Sequence, residues 1–262
     1  MSGCNIKKTF AVYLFTKELD KKSSMKSNAL PFLLPVRSIV FILVFIVCAW
    51  IAKTDVGQIG HWWSIIAVVV NILTVLLLVY VAHKNGKTFG QLINYQKGST
   101  RWLVILLVSL GILVIGMAGM YLAGFLIYKN LLYAPPVMIA PIAKWIAIIN
   151  IILLPISTVF AEDGLYLGCG VNQIKNKHVA ILVPAFFYAL QHCFIPTLFD
   201  GRFVLYRFLS FLPLTIILCW YYYKKRNPVP IMVGHAVIDL ATAAQIVATS
   251  TVPGIYETMC GM

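Results

Sequence analysis

The apolar residues of this chain fall into long runs separated by short polar stretches. Seven runs stand out, roughly 38–52, 63–82, 102–128, 145–171, 179–198, 203–222 and 229–248. Each is close to or above the ~20 residues that cross a hydrocarbon core, the first being short and the third and fourth long. The pattern predicts an all-α, polytopic membrane protein of about seven transmembrane helices. Composition agrees: 61% hydrophobic and 11% charged residues in 262, with a mean hydropathy of +0.89, are far too apolar for a water-soluble domain.

Three runs contain ionisable groups. Glu162 and Asp163 lie in ISTVFAEDGLYLG, His192 in PAFFYALQHCF, and His235 with Asp239 in IMVGHAVIDL. Ionisable groups at bilayer depth are costly, so each marks a functional site whose partners should be sought. Counted from the charged residue bounding each span, Glu162 lies 13 residues from Lys175, His192 15 from Lys177, and His235 and Asp239 lie 9 and 13 from Arg226. At 1.5 Å per residue these become depths of roughly 13–22 Å, one layer of the membrane reached from three helices. His235 and Asp239 are spaced i, i+4 and share a helix face, where a carboxylate can fix the ring's orientation and tautomer. Asp163 is turned roughly 100° from Glu162, toward water or a loop carbonyl, and is expected only to orient.

The net charge of +13 is explained by topology. Sixteen Lys and Arg, including Arg37 ahead of the first run, precede the first run or follow the second, fourth and sixth; only Lys53, Lys129, Lys144 and Arg202 occupy the opposite loops, and Arg207 lies inside the sixth run. The positive-inside rule then places the N-terminus in the cytoplasm and the C-terminus outside, in a plasma or internal membrane. Membrane lipid is the natural partner of these basic loops, and nucleic acid is not. No signal-peptide core or cleavage site is evident, and residues from Ile6 to Leu19 have the composition of a surface-lying amphipathic helix. Six cysteines without a CxxC pair read as packing residues.

A carboxylate in a partly dry site is a competent general base, and two imidazoles beside it can hold a water or stabilise an oxyanion. That chemistry hydrolyses peptide or acyl bonds. Glu162, His192 and His235 are equally an acceptable zinc ligand set with an open position for water. Neither HExxH nor Gly-x-Ser-x-Gly occurs, and an Asp163–Asp239 dyad leaves both histidines unexplained. Structural roles are also available: intramembrane polar side chains bridge helices, as expected for Asn71 and Asn150, and Gly164, Gly168 and Gly170 allow close helix approach.

Glu162-Asp163 before Leu167, Tyr188-Ala-Leu-Gln-His192 and His235-Ala-Val-Ile-Asp239 resemble the three motifs of the CPBP family, the CAAX-type and bacteriocin-processing intramembrane proteases: Glu-Glu-x-x-x-Arg, Phe-x-x-x-His and His-x-x-x-Asn/Asp. The resemblance covers about 159–245. It implies that Glu162 activates the attacking water, that His192 and His235 bind the water or the oxyanion, and that Asp239 steadies His235. It also implies a peptide or membrane-protein substrate and no required cofactor. Asp163 replaces glutamate, Tyr188 replaces phenylalanine, and Leu167 stands where the family has arginine, removing a guanidinium that could pair with the acidic residues. The expected organisation is a basic cytoplasmic segment over 1–37, accessory helices over 38–142, a CPBP-like core over 143–250 and a short external tail over 251–262. The alternative function is a non-catalytic immunity factor or regulator.

Overall fold

A computed structural model describes residues 30–260. The basic segment before residue 30, with its expected surface helix, lies outside the described residues. Among those described there is no strand, only an isolated bridge between Phe194 and Thr197. Seven long helices make the bundle: α1 (Val36–Ala52), α2 (Trp63–Lys84), α3 (Trp102–Tyr128), α4 (Lys144–Asp163), α5 (Lys177–His192), α6 (Gly201–Lys225) and α7 (Val229–Thr251). A 3-10 turn, Leu30–Leu33, leads into α1, and a π-helical stretch, Gly164–Val171, continues α4.

The boundaries have local causes. α1, α3 and α6 end at Lys53, Lys129 and Arg226, each in the left-handed region that stops a helix and frees its last carbonyls for capping. The Asn176 side chain accepts from the His178 and Val179 amides to start α5, and Asp200 accepts from the Arg202 amide to start α6. The wider π turn fits between its neighbours only because of glycine. A Cβ on Gly164 would stand 2.9 Å from Leu78, and one on Gly170 2.9 Å from Pro184.

Among the described residues six stretches are long and apolar enough to cross a membrane: Leu30–Ala52, Val56–Lys84, Trp102–Tyr128, Lys144–Val171, Gly201–Lys225 and Val229–Thr251. The apolar run expected to span over 179–198 behaves differently. Its helix has 16 residues, about 24 Å of rise against a ~30 Å core. It ends at His192 because the chain folds back on itself through Phe194–Thr197, and Pro196 within that turn has no N–H to extend a helix. Residues 193–200 continue as turns outside the regular helix. Backbone carbonyls exposed in this way need partners inside the membrane. Arg207 of α6 supplies them: its Nε donates to the His192 carbonyl and its Nη2 to that of Ile195, both at 3.0 Å.

The outward faces are as apolar as the interior, with Leu73, Leu107 and Ile152 more than half exposed. Such a surface suits lipid and would aggregate in water. Polar side chains are turned inward and bridge helices: Asn150 donates to Ser64, and Asn71 to Ser157 and Thr158. Both asparagines therefore join helices as expected, and Asn71 has a second task at the site. α4 packs between α2 and α7, α5 against α6, and α3 against α6 and α7.

Candidate active site

Glu162 is the penultimate residue of α4, at the junction with the π turn, and is buried. Its two carboxylate oxygens have different surroundings. Oε1 accepts from Arg37 Nη2 at 3.1 Å. Oε2 receives no hydrogen bond from the protein and faces two imidazoles, standing 3.7 Å from His192 Nε2 and 3.8 Å from His235 Nε2. Those separations are too long for direct hydrogen bonds. They match the gap a single water bridges when it stands about 2.8 Å from each atom.

Arg37 was counted by sequence among the cytoplasmic charges ahead of the first span. It is instead the second residue of α1, and its side chain is buried. Its guanidinium donates to Gln191 Oε1 at 2.5 Å, to Thr74 Oγ1 at 3.0 Å and to Asn71 Oδ1, as well as to Glu162, and it lies over the Phe41 ring. All its forks are used, which is what a buried cation requires. Arginine, with five donors in a planar fork, suits such a crowded set of acceptors better than lysine. A guanidinium thus reaches Glu162 from 125 residues away in sequence, although position 167 is leucine. Leu167 itself is fully buried in the apolar cluster that also holds Leu34 and Leu92.

His235 is held from below by two groups. Its Nδ1 stands 3.0 Å from the Tyr188 hydroxyl and 3.4 Å from Asp163 Oδ2, while Tyr188 donates to Asp163 Oδ1 at 2.9 Å. The single phenolic proton goes to the carboxylate, so the tyrosine oxygen is left to accept from Nδ1–H. That arrangement fixes the tautomer and turns Nε2 toward Glu162. Asp163 therefore does not face water or a loop carbonyl. It is buried and clamps the ring, because the π turn carries the chain round beneath α5 and α7. Asp239 shares the helix face of His235 as expected, but meets the other nitrogen: Oδ2 lies 3.6 Å from Nε2. It borders the reactive side of the ring instead of steadying it from behind.

His192 closes the last turn of α5. Its ring stacks on Phe211 of α6 with centroids 3.7 Å apart and planes 12° from parallel, and Arg207 lies over the far end of that system, 4.8 Å from the Phe211 centroid. The same arginine holds the His192 carbonyl. All five residues singled out by sequence meet in one place. Arg37, Gln191 and Arg207 join them unannounced, and Tyr188, read in the sequence only as a phenylalanine replacement, joins through its hydroxyl. One sign of Arg37 stands in the sequence: with the turn at Leu30–Leu33 included, its run begins eight residues earlier, and an arginine inside an apolar run demands a partner.

Glu162, His192, His235 and Asp239 line one end of a cavity of about 360 Å³ whose walls are mostly apolar. Among the described residues no group of three His, Cys, Asp or Glu side chains is placed to hold a metal ion. Ligands at about 2.0–2.2 Å would define tetrahedral edges of about 3.3–3.6 Å, so zinc at Glu162, His192 and His235 needs a contraction of the cluster as it stands.

A buried carboxylate with one oxygen braced and the other facing two imidazoles, inside a lipid-facing helical bundle, defines an integral membrane protein with an intramembrane carboxylate–histidine centre. Residues 144–241 match the family model of type II CAAX prenyl endopeptidase Rce1-like proteins. The match supports the resemblance of this segment to the CPBP/CAAX protease family, in agreement with its three motifs. It runs from α4 into α7, includes Glu162, Asp163, His192, His235 and Asp239, and leaves out Arg37 and Asn71. No curated protein and no solved structure matches the chain significantly.

Proposed function

We propose that the protein is an intramembrane endopeptidase that hydrolyses a peptide bond of a membrane-associated protein or peptide through a water activated by Glu162. The observation that carries this reading is the orphaned Glu162 Oε2, buried and aimed between two Nε2 atoms at 3.7 and 3.8 Å. A water bound there has an acceptor for its proton and two imidazoles to hold it. In the first step Oε2 takes the proton while the water oxygen bonds to the substrate carbonyl carbon. The carbonyl oxygen becomes the oxyanion and accepts a hydrogen bond from His192 Nε2–H, while His235, its Nδ1–H held by Tyr188 and Asp163, keeps Nε2 free to accept from the water. In the second step the C–N bond breaks, Glu162 returns the proton to the leaving amine, and the carboxylate is regenerated. Arg37 keeps Oε1 occupied throughout, so that only Oε2 turns over.

CAAX-type proteins, bacteriocin leaders and signalling peptides all present such a bond at a membrane. The non-catalytic alternative, an immunity factor or regulator, drew its support from Leu167; Arg37 on the same carboxylate removes much of that support. The distribution of basic loops supports a cytoplasmic N-terminus. Cleavage by the purified protein beside its Glu162→Gln variant is the test. The amide is nearly isosteric but cannot accept the water's proton, so a loss of about 10²–10⁴-fold with the fold intact is expected.

A further inference from the structure

The cavity has a direction. Apart from the catalytic groups, its walls come from the middle of α3 and α7, from α4 and α6 beside Glu162 and His192, and, toward one end of the bundle, from Trp63 at the start of α2, Ala134 to Ile139 in the α3–α4 connection and Ile195 in the α5–α6 connection. No lining residue belongs to 72–111, 163–187 or 219–234. All three connections that contribute, or adjoin a contributing residue, lie at the end of the bundle opposite the loops bearing Lys84–Arg101, Lys175–Lys177 and Lys224–Arg226. Toward those basic loops the site is sealed: Leu92, Leu167, Val171, Ile181, Tyr222 and Ile231 belong to one buried apolar cluster.

The lining residues that are also exposed are Met117 and Tyr121 on α3, Ala134, and Ala241 and Gln245 on α7. Nearer the basic side these two helices touch. A Cβ on Gly234 would stand 2.7 Å from Ile112 and 2.9 Å from the Ser109 Cα, and one on Gly116 would stand 3.3 Å from Ile238. α3 and α7 are therefore in close contact at the level of His235, and the exposed lining residues farther along both helices mark a window to the chamber.

We propose that the chamber is loaded from the face opposite the basic loops, through the window between α3 and α7, by an apolar peptide segment. This rests on the protease reading of the site. With the basic loops in the cytoplasm, the substrate class becomes an exported peptide or the extracytoplasmic juxtamembrane segment of a membrane protein, and a lipidated C-terminus presented from the cytoplasm does not reach the catalytic groups.

Cysteine accessibility tests the direction without requiring turnover. In full-length protein with Cys4, Cys48 and Cys260 changed to serine and the buried Cys169, Cys193 and Cys219 retained, single substitutions Ala134→Cys, Gln245→Cys, Met120→Cys and Lys87→Cys are treated with a membrane-impermeant maleimide in intact cells and in inside-out vesicles. Labelling after denaturation confirms that each thiol is present. The mouth positions Ala134→Cys and Gln245→Cys, and Met120→Cys within the chamber, should react in intact cells and not in inside-out vesicles. Lys87→Cys should do the reverse. Adding Ala241→Trp at the window should suppress labelling of Met120→Cys while leaving Ala134→Cys reactive. Reaction of the mouth positions from the Lys87 face, or protection of Met120→Cys from both faces, overturns the proposal. A protein that labels as expected but whose cleavage is unchanged by Glu162→Gln would show that the protease reading has failed while the direction of the chamber stands.

Discussion

The pair formed by Arg37 and Glu162 decides whether a chain lacking the family's motif arginine can retain its chemistry. Removing one partner of a buried ion pair leaves an uncompensated charge and costs about 3–5 kcal/mol. Arg37→Leu should therefore abolish cleavage and lower thermal stability together. Arg37→Lys should retain the fold but lose most activity, because an ammonium cannot serve Glu162, Gln191, Asn71 and Thr74 at once. If Arg37 stands in for the motif residue, Leu167→Arg added to Arg37→Leu should recover part of the activity; no recovery would show that the two positions are not equivalent. Tyr188→Phe restores the family's residue and removes two hydrogen bonds of about 0.5–1.5 kcal/mol each, so a loss of about 5–150-fold is expected in a cleavage assay. The ionisable residues of the three motifs were legible because a charge inside an apolar run is conspicuous. Arg37 and the Tyr188 hydroxyl were not, since their partners lie 125 and 25 to 47 residues away and no local pattern encodes such contacts.

At the scale of elements, six of the seven apolar runs were legible as spans and the fifth was not. Hydropathy reports that residues 179–198 tolerate an apolar environment. It does not report that the helix stops at His192 and that the rest of the crossing depends on a guanidinium from the next helix. That dependence makes Arg207 a structural keystone of α5 and a positioning residue for His192. Arg207→Ala would leave the Ile195 carbonyl without a donor in a dry interior, at roughly 1–3 kcal/mol, and the His192 carbonyl with only the Ile195 amide at 3.4 Å. The variant should unfold at lower temperature in detergent. Arg207→Lys should recover part of the stability, with His192 less well placed. An unchanged melting temperature in Arg207→Ala would mean that water serves those carbonyls. The π turn carries the other lesson at this scale. The three glycines over 164–170 were visible as a site of close approach, yet the turn of the backbone that brings Asp163 under His235 was not.

For the whole molecule, the alternation of seven helices predicts that reporters fused at the two ends fall on opposite sides of the membrane, with Glu257 on the side away from Lys87. Termini on one side would mean that α5 and the 193–200 segment do not together cross. The open spacing of Glu162, His192 and His235 predicts that chelators leave cleavage unaffected, whereas inhibition reversed by added zinc would establish the metal-dependent reading. The central claim, that Glu162 is the base of a membrane protease, is tested most directly without knowing the substrate. The newly exposed protein N-termini in membranes of cells expressing the native chain are compared with those in cells expressing Glu162→Gln at equal abundance. Catalysis by Glu162 predicts a small set of termini, generated at or within the membrane, that are present with the native chain and absent with the variant. Identical sets of termini, with the biological activity of the protein intact in both, would contradict it.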